Sequence, residues 1–577
     1  MMALAPESYF LADLRNVSTT NDAGFFMQMA STWKTKIIEG LGFWQLRPSE
    51  LPGYLIGALS LFLAISLEEA GRIFVYIAVT LTAFSAYLLL LSLRQSHLGI
   101  LVASAIVFFF PVYGRTSLGM VDTDQLNLFF LLLILTALMA SIRSRNLWLA
   151  SAFALGAALL YHLFTLWYPR PGFLLMFLAT YVAMLVSHQE KIKRAFVLLC
   201  SFLVVASARD YGTAWQSLQS FLRLYVPTAT DTEALSTKNQ NLVDVEALIF
   251  QTIGEISGVT KDLISNDYGS VIAFICALIG IVIWLFQDWR RFSVALPFVA
   301  FLMLYFVAGL RFSFYAAPLT LVGLFVILAS VVNPIVRSLK IKLEKLRRYL
   351  GSGLTNPHVT AQPGAAPYRY LLPIRILSIV LMLTALRVAN VLPPPGVIPP
   401  PVVRAEEIRQ LTKALTNADP KKAIVVSWWD YGYEIRYQTG FQVVTDGGNP
   451  ANIKNIYIAR ALISPNWNYA ADEIRFSAYF AEADLRESFP RRPELQKAID
   501  LHKDIYIFFP SDLQDKMLTI FNIATATIPR ESLQGYDSDN SAFVILYHQQ
   551  PSRWGPFELI HASKEAGVIY RLRSPSA

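Results

Sequence analysis

Cysteine is nearly absent from this sequence: two residues, Cys200 and Cys276, in 577. Both lie in apolar runs, which argues against a disulfide framework and a cysteine-built metal site. Charge is scarce as well, at 16% Asp, Glu, Lys and Arg, against about 25% in an ordinary soluble protein. Read as soluble, a chain of this length would divide into roughly three to five domains. The 54% hydrophobic content and a mean hydropathy of +0.44 point instead to an integral membrane protein. Disorder, a coiled coil and a purely soluble enzyme are excluded by the same composition. The seven histidines are scattered and form no catalytic constellation, and His162, inside an apolar run, reads as packed or interhelical. The net charge of +8 is the excess that cytoplasmic loops of membrane proteins carry, so no nucleic-acid partner is expected.

Long apolar runs are what the chain has in abundance. They lie near 70–93, 97–114, 123–142, 147–168, 171–188, 193–208, 269–287, 292–311, 314–336 and 371–392. That makes about ten segments able to cross a ~30 Å hydrocarbon core. The run 51–66, preceded by Pro48 and Pro52 at its start, reads as interfacial or re-entrant. Arg94, the pair Arg143 and Arg145, the cluster Lys191, Lys193 and Arg194, the pair Arg290 and Arg291, and the stretch from Arg337 to Arg348 all fall on alternate loops. Basic loops mark the cytoplasmic side. The opposite face then carries the outer loops 1–69 and 209–268, the loop 115–122, the turn near Arg311 and everything after residue 392. Residues 1–47 contain no signal peptide and no spanning run although the charge pattern puts them outside, so either the segment is translocated without a leader or, the favoured expectation, a first transmembrane helix ahead of Asp22 is missing from this start site.

The prolines of 393–401 favour extended polyproline II and mark a linker between a membrane domain, 1–392, and a more polar domain, 402–577. The second mixes helical periodicity (Ala405 to Leu415) with β-type runs at 423–426 and 542–546. A soluble mixed α/β domain on the non-cytoplasmic face is expected.

Acidic side chains at span ends are costly unless hydrated, paired or bound to a cation. Asp122 and Asp124 form Asp-Thr-Asp at the outer end of a span. Two carboxylates so spaced offer hard oxygen ligands to a divalent ion such as Mg²⁺ or Mn²⁺; the same pair serves equally as a helix N-cap. Asp22 and Glu255 come from two further outer segments, so a metal site assembled from three stretches is geometrically possible. Arg115 and Arg311 lie on that same face, where arginine is disfavoured. Arg311, in Gly-Leu-Arg-Phe, is placed to bind phosphate oxygens at headgroup depth, or to snorkel there. In the outer domain, Trp428-Trp429-Asp430-Tyr431-Gly432 follows a β-type run: two indoles and a carboxylate that either recognise a hydroxyl or cap and pack a core.

This pentapeptide resembles the signature of the oligosaccharyltransferase catalytic subunit. The likeness extends to Asp22, to the stretch from Arg115 to Asp124, to Thr252-Ile253-Gly254-Glu255, to Gly309-Leu310-Arg311-Phe312, and to Met517-Leu518-Thr519-Ile520, which is similar to the Met-x-x-Ile element of bacterial single-subunit enzymes. The resemblance implies a GT-C type membrane glycosyltransferase of the inner membrane, its site facing the periplasm. Such an enzyme moves an oligosaccharide from a polyprenyl-pyrophosphate to asparagine of an Asn-x-Ser/Thr sequon, working as a single subunit. By the same resemblance, Asp22, Asp122, Asp124 and Glu255 surround Mg²⁺ or Mn²⁺, and Asp22 and Glu255 also accept the acceptor amide's two N–H bonds. Arg115 supports the acids and Arg311 holds the donor pyrophosphate. Trp428, Trp429 and Asp430 bind the sequon hydroxyl, and Ile520, backed by Met517, touches the threonine methyl.

The chain departs from that family in two ways. The family has about thirteen spans. Some bacterial members also place an arginine shortly after the Thr-Ile-x-Glu element, to bind an acid two residues before the asparagine. Here 256–268 holds Lys261 and no arginine, so a relaxed requirement for that acid is expected. Two other readings stand beside this one. The first is a GT-C enzyme using polyprenyl-phosphate sugars on hydroxyl acceptors. The second is a transporter or flippase, which calls for ionisable residues near the bilayer midplane and broken helices.

Overall fold

The computed structural model describes residues 23–109, 111–112, 124–170, 172–206, 213–216, 259–309, 311–351, 384, 403–447, 452–482, 485, 504–526, 541–563 and 567–573. The membrane part contains α1 (Ala23–Ile38), α2 (Leu51–Leu63), α3 (Leu67–Ser92), α4 (Ser96–Ile106), α5 (Asp124–Arg143), α6 (Leu147–Trp167), α7 (Gly172–Ser187) and α8 (Ile192–Val205). It continues with α9 (Lys261–Tyr268), α10 (Val271–Gln287), α11 (Leu296–Ala308) and the long α12 (Arg311–Gly351). Among the described residues five helical stretches, 67–92, 124–143, 147–167, 289–307 and 312–331, are long and apolar enough to cross a membrane. They coincide with expected spans, as do the shorter apolar helices α4, α7 and α10. The run at 371–392 lies almost wholly outside the described residues. α2 is a 13-residue helix ended by Ala64 in the left-handed region (φ 53°), about 20 Å long at 1.5 Å per residue and so shorter than the hydrocarbon core. His162 is exposed rather than packed between helices.

Local chemistry sets the helix ends. Ser66 and Glu69 form a capping box at the start of α3, each side chain bonding the other's backbone N–H at 3.1 Å. Asn146 and Ser270 cap α6 and α10. At the far end of α5 the Arg194 guanidinium, paired with Glu190 at 2.9 Å, donates to the carbonyls of Ser141, Ile142 and Ser144, which the helix leaves without acceptors' partners. α10 crosses α12 at two glycines: a Cβ on Gly280 would fall 1.9 Å from the Gly323 carbonyl oxygen, and one on Gly323 2.2 Å from that of Ala277. Such small-residue contacts let membrane helices approach closely.

The outer domain comprises α13 (Ala405–Ala414), β1 (Ala423–Val426), α14 (Gly432–Thr439), β2 (Gln442–Val443), α15 (Lys454–Ile463), α16 (Trp467–Tyr479), β3 (Asp504–Phe509), α17 (Leu513–Ala526), β4 (Arg553–Trp554), β5 (Phe557–Ser563) and β6 (Gly567–Leu572). Its six-stranded sheet runs β2-β1-β3-β6-β5-β4, with β1 parallel to both β2 and β3 and the remaining pairs antiparallel. The expected mixed α/β domain is therefore present. One run is corrected: 542–546 is helical, leading into a π-helical turn at Val544–Gln549. Its apolar residues suit a strand by propensity. Phe543 and Leu546 instead bury one helical face, and Phe543 stacks on Tyr547 four residues on (4.9 Å, 13°). Tertiary packing overrides the local preference.

α15 and α16 bury Glu473 beside Arg460. Burial pushes the Glu473 carboxyl up to about 7, against the opposing pull of Arg460. The folded carboxyl holds its proton more tightly than the unfolded one, whose ordinary value is 4.5. Stability is therefore full below about pH 4.5 and is lost as the pH rises through about 7, by up to about 3 kcal/mol. The outer-domain melting temperature is expected to fall across that window, and Glu473→Gln to flatten the dependence. An unchanged slope in the variant, read by thermal denaturation against pH, rules this assignment out.

Candidate functional site

Parallel neighbours β1 and β3 end at the same edge of the sheet, so the segments leaving them meet. In open α/β sheets this carboxyl-end edge is where ligands bind. From β1 the chain enters Ser427-Trp428-Trp429-Asp430-Tyr431 and then α14. From β3 it enters Pro510-Ser511-Asp512 and then α17. The two segments are tied three times: Ser427 Oγ donates to the Phe508 carbonyl (2.9 Å), Tyr431 Oη to Asp512 Oδ1 (2.7 Å), and Lys516 Nζ to Asp430. Buried Glu407 of α13 fixes the second segment by accepting from the Ser511 N–H (2.6 Å).

Within this frame Trp428 is buried in the core at 2% exposure, and Trp429 lies half-buried beside it, ring centroids 6.4 Å apart. Asp430 is largely buried, and burial raises its carboxyl above the ordinary range while Lys516 pulls it back. Lys516 also sits over the Tyr431 ring, 4.3 Å from its centroid. Met517 is half-buried, and Ile520, a turn of α17 further on, is fully buried in the core. The structure thus brings Trp428, Trp429, Asp430, Met517 and Ile520 to one edge of the outer domain. Lys516 escaped the sequence reading although it directly precedes Met517.

The second part of the site is at the membrane domain. Asp124 opens α5 and is buried; its Oδ1 accepts from Asn127 Nδ2 and from Tyr315 Oη, each at 3.1 Å, and Asn127 donates to Tyr315 Oη at 2.7 Å. Tyr315 lies one turn into α12, whose first residue is Arg311, so the acid and the start of the arginine's helix are adjacent. The i,i+3 spacing of Asp124 and Asn127 is the signal that could have found the nearer of these partners. Asp22, Arg115, Asp122 and Glu255 lie outside the described residues, as does the Arg311 side chain. Among the described residues no three His, Cys, Asp or Glu side chains are grouped to hold a metal ion. Asp124 fits such a role in kind, an anionic oxygen ligand oriented by two donors on one of its oxygens.

The outer domain docks on α1 and α3. Tyr437 Oη of α14 donates to Glu68 Oε1 at the head of α3 (2.7 Å), and Tyr433 packs on Phe25 of α1, centroids 5.0 Å apart. A Cβ on Gly24 would fall 2.7 Å from the Tyr433 carbonyl, so α1 begins pressed against the backbone that follows Gly432.

Comparison with known proteins bears on the same segment. Residues 421–521 match the STT3/PglB/AglB core domain. Over 233 residues, 40% of this chain, the sequence is 26% identical to an undecaprenyl-diphosphooligosaccharide–protein glycotransferase of Campylobacter jejuni, and the match spans 28% of that protein's length. In fold the chain is similar to the archaeal oligosaccharyltransferase AglB from Archaeoglobus fulgidus in complex with an inhibitory peptide and a dolichol-phosphate. There the TM-score is 0.59 at 13% identity, covering 94% of this chain and 75% of that one. It is also similar to the Archaeoglobus fulgidus oligosaccharyltransferase tethered with an acceptor peptide containing the NVT sequon, with a TM-score of 0.57 at 14% identity and the same coverage.

Proposed function

We propose that the chain belongs to the STT3/PglB/AglB oligosaccharyltransferase family, a reading supported by the match of residues 421–521 to that core domain, and that it transfers an oligosaccharide from a polyprenyl-pyrophosphate to the asparagine amide of Asn-x-Ser/Thr sequons. The observation that supports this reading is the meeting of Asp430, Trp428 and Trp429 at the sheet's carboxyl edge, on a domain docked against α1, which begins one residue after Asp22. A largely buried carboxylate beside an indole wall accepts a hydroxyl hydrogen bond and rejects a residue lacking that hydroxyl.

The proposed roles follow the residues. Asp22 and Glu255 accept the amide N–H bonds and localise the nitrogen lone pair, which resonance otherwise holds in the C–N bond. Arg115 supports the acids. Arg311, at the positive end of α12, binds the donor pyrophosphate. Asp22, Asp122, Asp124 and Glu255 would hold Mg²⁺ or Mn²⁺, which when bound neutralises charge on the departing pyrophosphate. Attack opposite the leaving group inverts the anomeric centre. The enzyme is proposed to act alone in a bacterial inner membrane, with its site on the periplasmic face.

Incubating the purified chain with a lipid-linked oligosaccharide extract and a labelled Asn-x-Thr peptide tests this. Glycopeptide is expected with Mg²⁺ or Mn²⁺, none with chelator, and none on an Asn-x-Ala peptide. Trp429→Ala is expected to lower transfer about 100-fold with membrane insertion intact; unaffected transfer removes the pocket assignment. Peptides with Asp and with Ala two residues before the asparagine are expected to react within a few-fold of one another, and strict dependence on the acid would refute the relaxed requirement.

A further inference from the structure

The turn that carries Trp429 and Asp430 is continuous with α14, since a 3₁₀ turn at Trp429–Tyr431 runs straight into Gly432–Thr439. Whatever holds α14 therefore holds the pocket turn. Tyr433 and Tyr437 lie four residues apart on one face of α14. That face meets the membrane domain: Tyr433 packs on Phe25 at the start of α1, and Tyr437 is packed against the membrane-domain core. α1 is held from its other side, with Phe26, Met27 and Ala30 buried in that core. Gly24 leaves no slack, because an added Cβ would fall 2.7 Å from both the carbonyl carbon and the carbonyl oxygen of Tyr433.

A polar contact crosses this seat. Ser66-Leu67-Glu68-Glu69 opens α3 with two adjacent acids of different use. Glu69 closes the capping box with Ser66, whereas the Glu68 carboxylate accepts from the Tyr437 hydroxyl at 2.7 Å. The cap does not need Glu68. α3 in turn packs along α5, the helix that Asp124 opens. The pocket turn and that acid are thus joined through α14, the hydrogen bond from Tyr437 to Glu68, α3 and α5.

A sequon presents its asparagine amide and its Ser/Thr hydroxyl on residues two apart, about 7 Å along an extended chain. In the proposed reaction the hydroxyl is read by the outer domain and the amide reacts beside the membrane domain, so the gap between the domains has to match that span. A misplacement of about 1 Å, set by a change remote from the chemistry, costs on the order of 100-fold in rate. We propose that Tyr437 and Glu68 are positioning residues for transfer, their hydrogen bond setting the distance between the pocket at Trp429 and Asp430 and the membrane-domain acid Asp124. The proposal rests on the oligosaccharyl-transfer reading above.

The purified full-length chain tests it, with a lipid-linked oligosaccharide extract and a labelled Asn-x-Thr peptide. Tyr437→Phe, which removes one oxygen, is expected to lower kcat about tenfold while acceptor KM stays within about twofold, because the pocket itself is intact. Glu68→Ala is expected to do the same, and Glu68→Gln, which keeps an acceptor oxygen, to retain most of the rate. The double variant Tyr437→Phe/Glu68→Ala is expected to be no slower than either single one, since both remove the same bond. Hydrogen exchange, which needs no activity, is expected to quicken in Tyr437→Phe across α1 and α14 and to stay as in wild type in β1 and β3. A merely structural pair would lower the melting temperature with kcat per folded molecule unchanged. That result overturns the proposal, as do a raised KM at full kcat and an unchanged exchange pattern. Wild type that forms no glycopeptide refutes the transfer reading instead, and exchange then still decides whether the pair holds the domains together. Should Glu68→Ala fail to fold, Tyr437→Phe compared with Glu68→Gln decides the matter.

Discussion

If the proposed function holds, Gly432→Ala is expected to cost about 100-fold or more in transfer, and the outer domain on the order of 3 kcal/mol in stability. The backbone of Gly432 is ordinary helix, so no conformational strain is involved; the difficulty is space. A Cβ there would fall 2.0 Å from the Thr445 carbonyl oxygen and 2.7 Å from the Asp446 Cα. Both are backbone atoms of the segment after β2, and Asp446 is tied in turn to Arg436 of α14 at 2.7 Å. Neither side can retreat without moving the other. The turn that presents Trp429 and Asp430 has to shift, and with it Tyr433, which rests on Phe25 and on Gly24. Gly440→Ala is the control. Its φ of +75° disfavours a side chain, but nothing lies within 4 Å of the added Cβ, so it should cost about 1 kcal/mol and little activity. If Gly432→Ala melts with wild type and glycosylates peptide normally, the close approach of α14 to 445–446 is absent in the working enzyme.

This tight contact also shows what the sequence could and could not disclose. Gly432 was visible as the last letter of a pentapeptide, but its physical duty lies in a stretch thirteen residues on, which no local pattern reveals. Apolar length located the spans, because a bilayer imposes one hydrophobic rule on every crossing helix. The strand at 423–426 was legible as a buried β-branched run and proved to be β1. The run at 542–546 had the same look and folds as helix, since burial of Phe543 and Leu546 on one face decided it. Asp124 was legible as a membrane-surface acid, whereas Tyr315, 191 residues away, was not, because a hydrogen bond between distant helices leaves no periodic trace. Lys516 is the same case within the outer domain: only the shared carboxyl edge of β1 and β3 reveals that it faces Asp430.

Lys516→Met should separate the stability of that pair from its use. Asp430 keeps its carboxylate in a largely buried place where burial alone raises its pKa, and Lys516 is the nearby cation that restrains the rise. Removing one partner of a buried pair leaves an uncompensated charge, at about 3 kcal/mol, so the variant is expected to melt lower. Its Asp430 also protonates at higher pH than in wild type. A protonated carboxyl offers a donor where the proposed contact to the sequon hydroxyl needs an acceptor. Transfer by the variant should therefore fall as the pH is lowered through this raised pKa, at a pH where wild type still works, and recover on the alkaline side. Adding Asp430→Asn to Lys516→Met removes the stranded charge and is expected to restore most of the lost melting temperature. It should not restore recognition of threonine over alanine in the sequon, because a neutral amide binds the hydroxyl more weakly than a carboxylate does. The two readouts then move apart, stability recovering while acceptor KM stays high. A purely structural pair would bring both back together, and a Lys516→Met profile that overlays wild type in melting and in pH would mean the lysine neither supports nor tunes the acid.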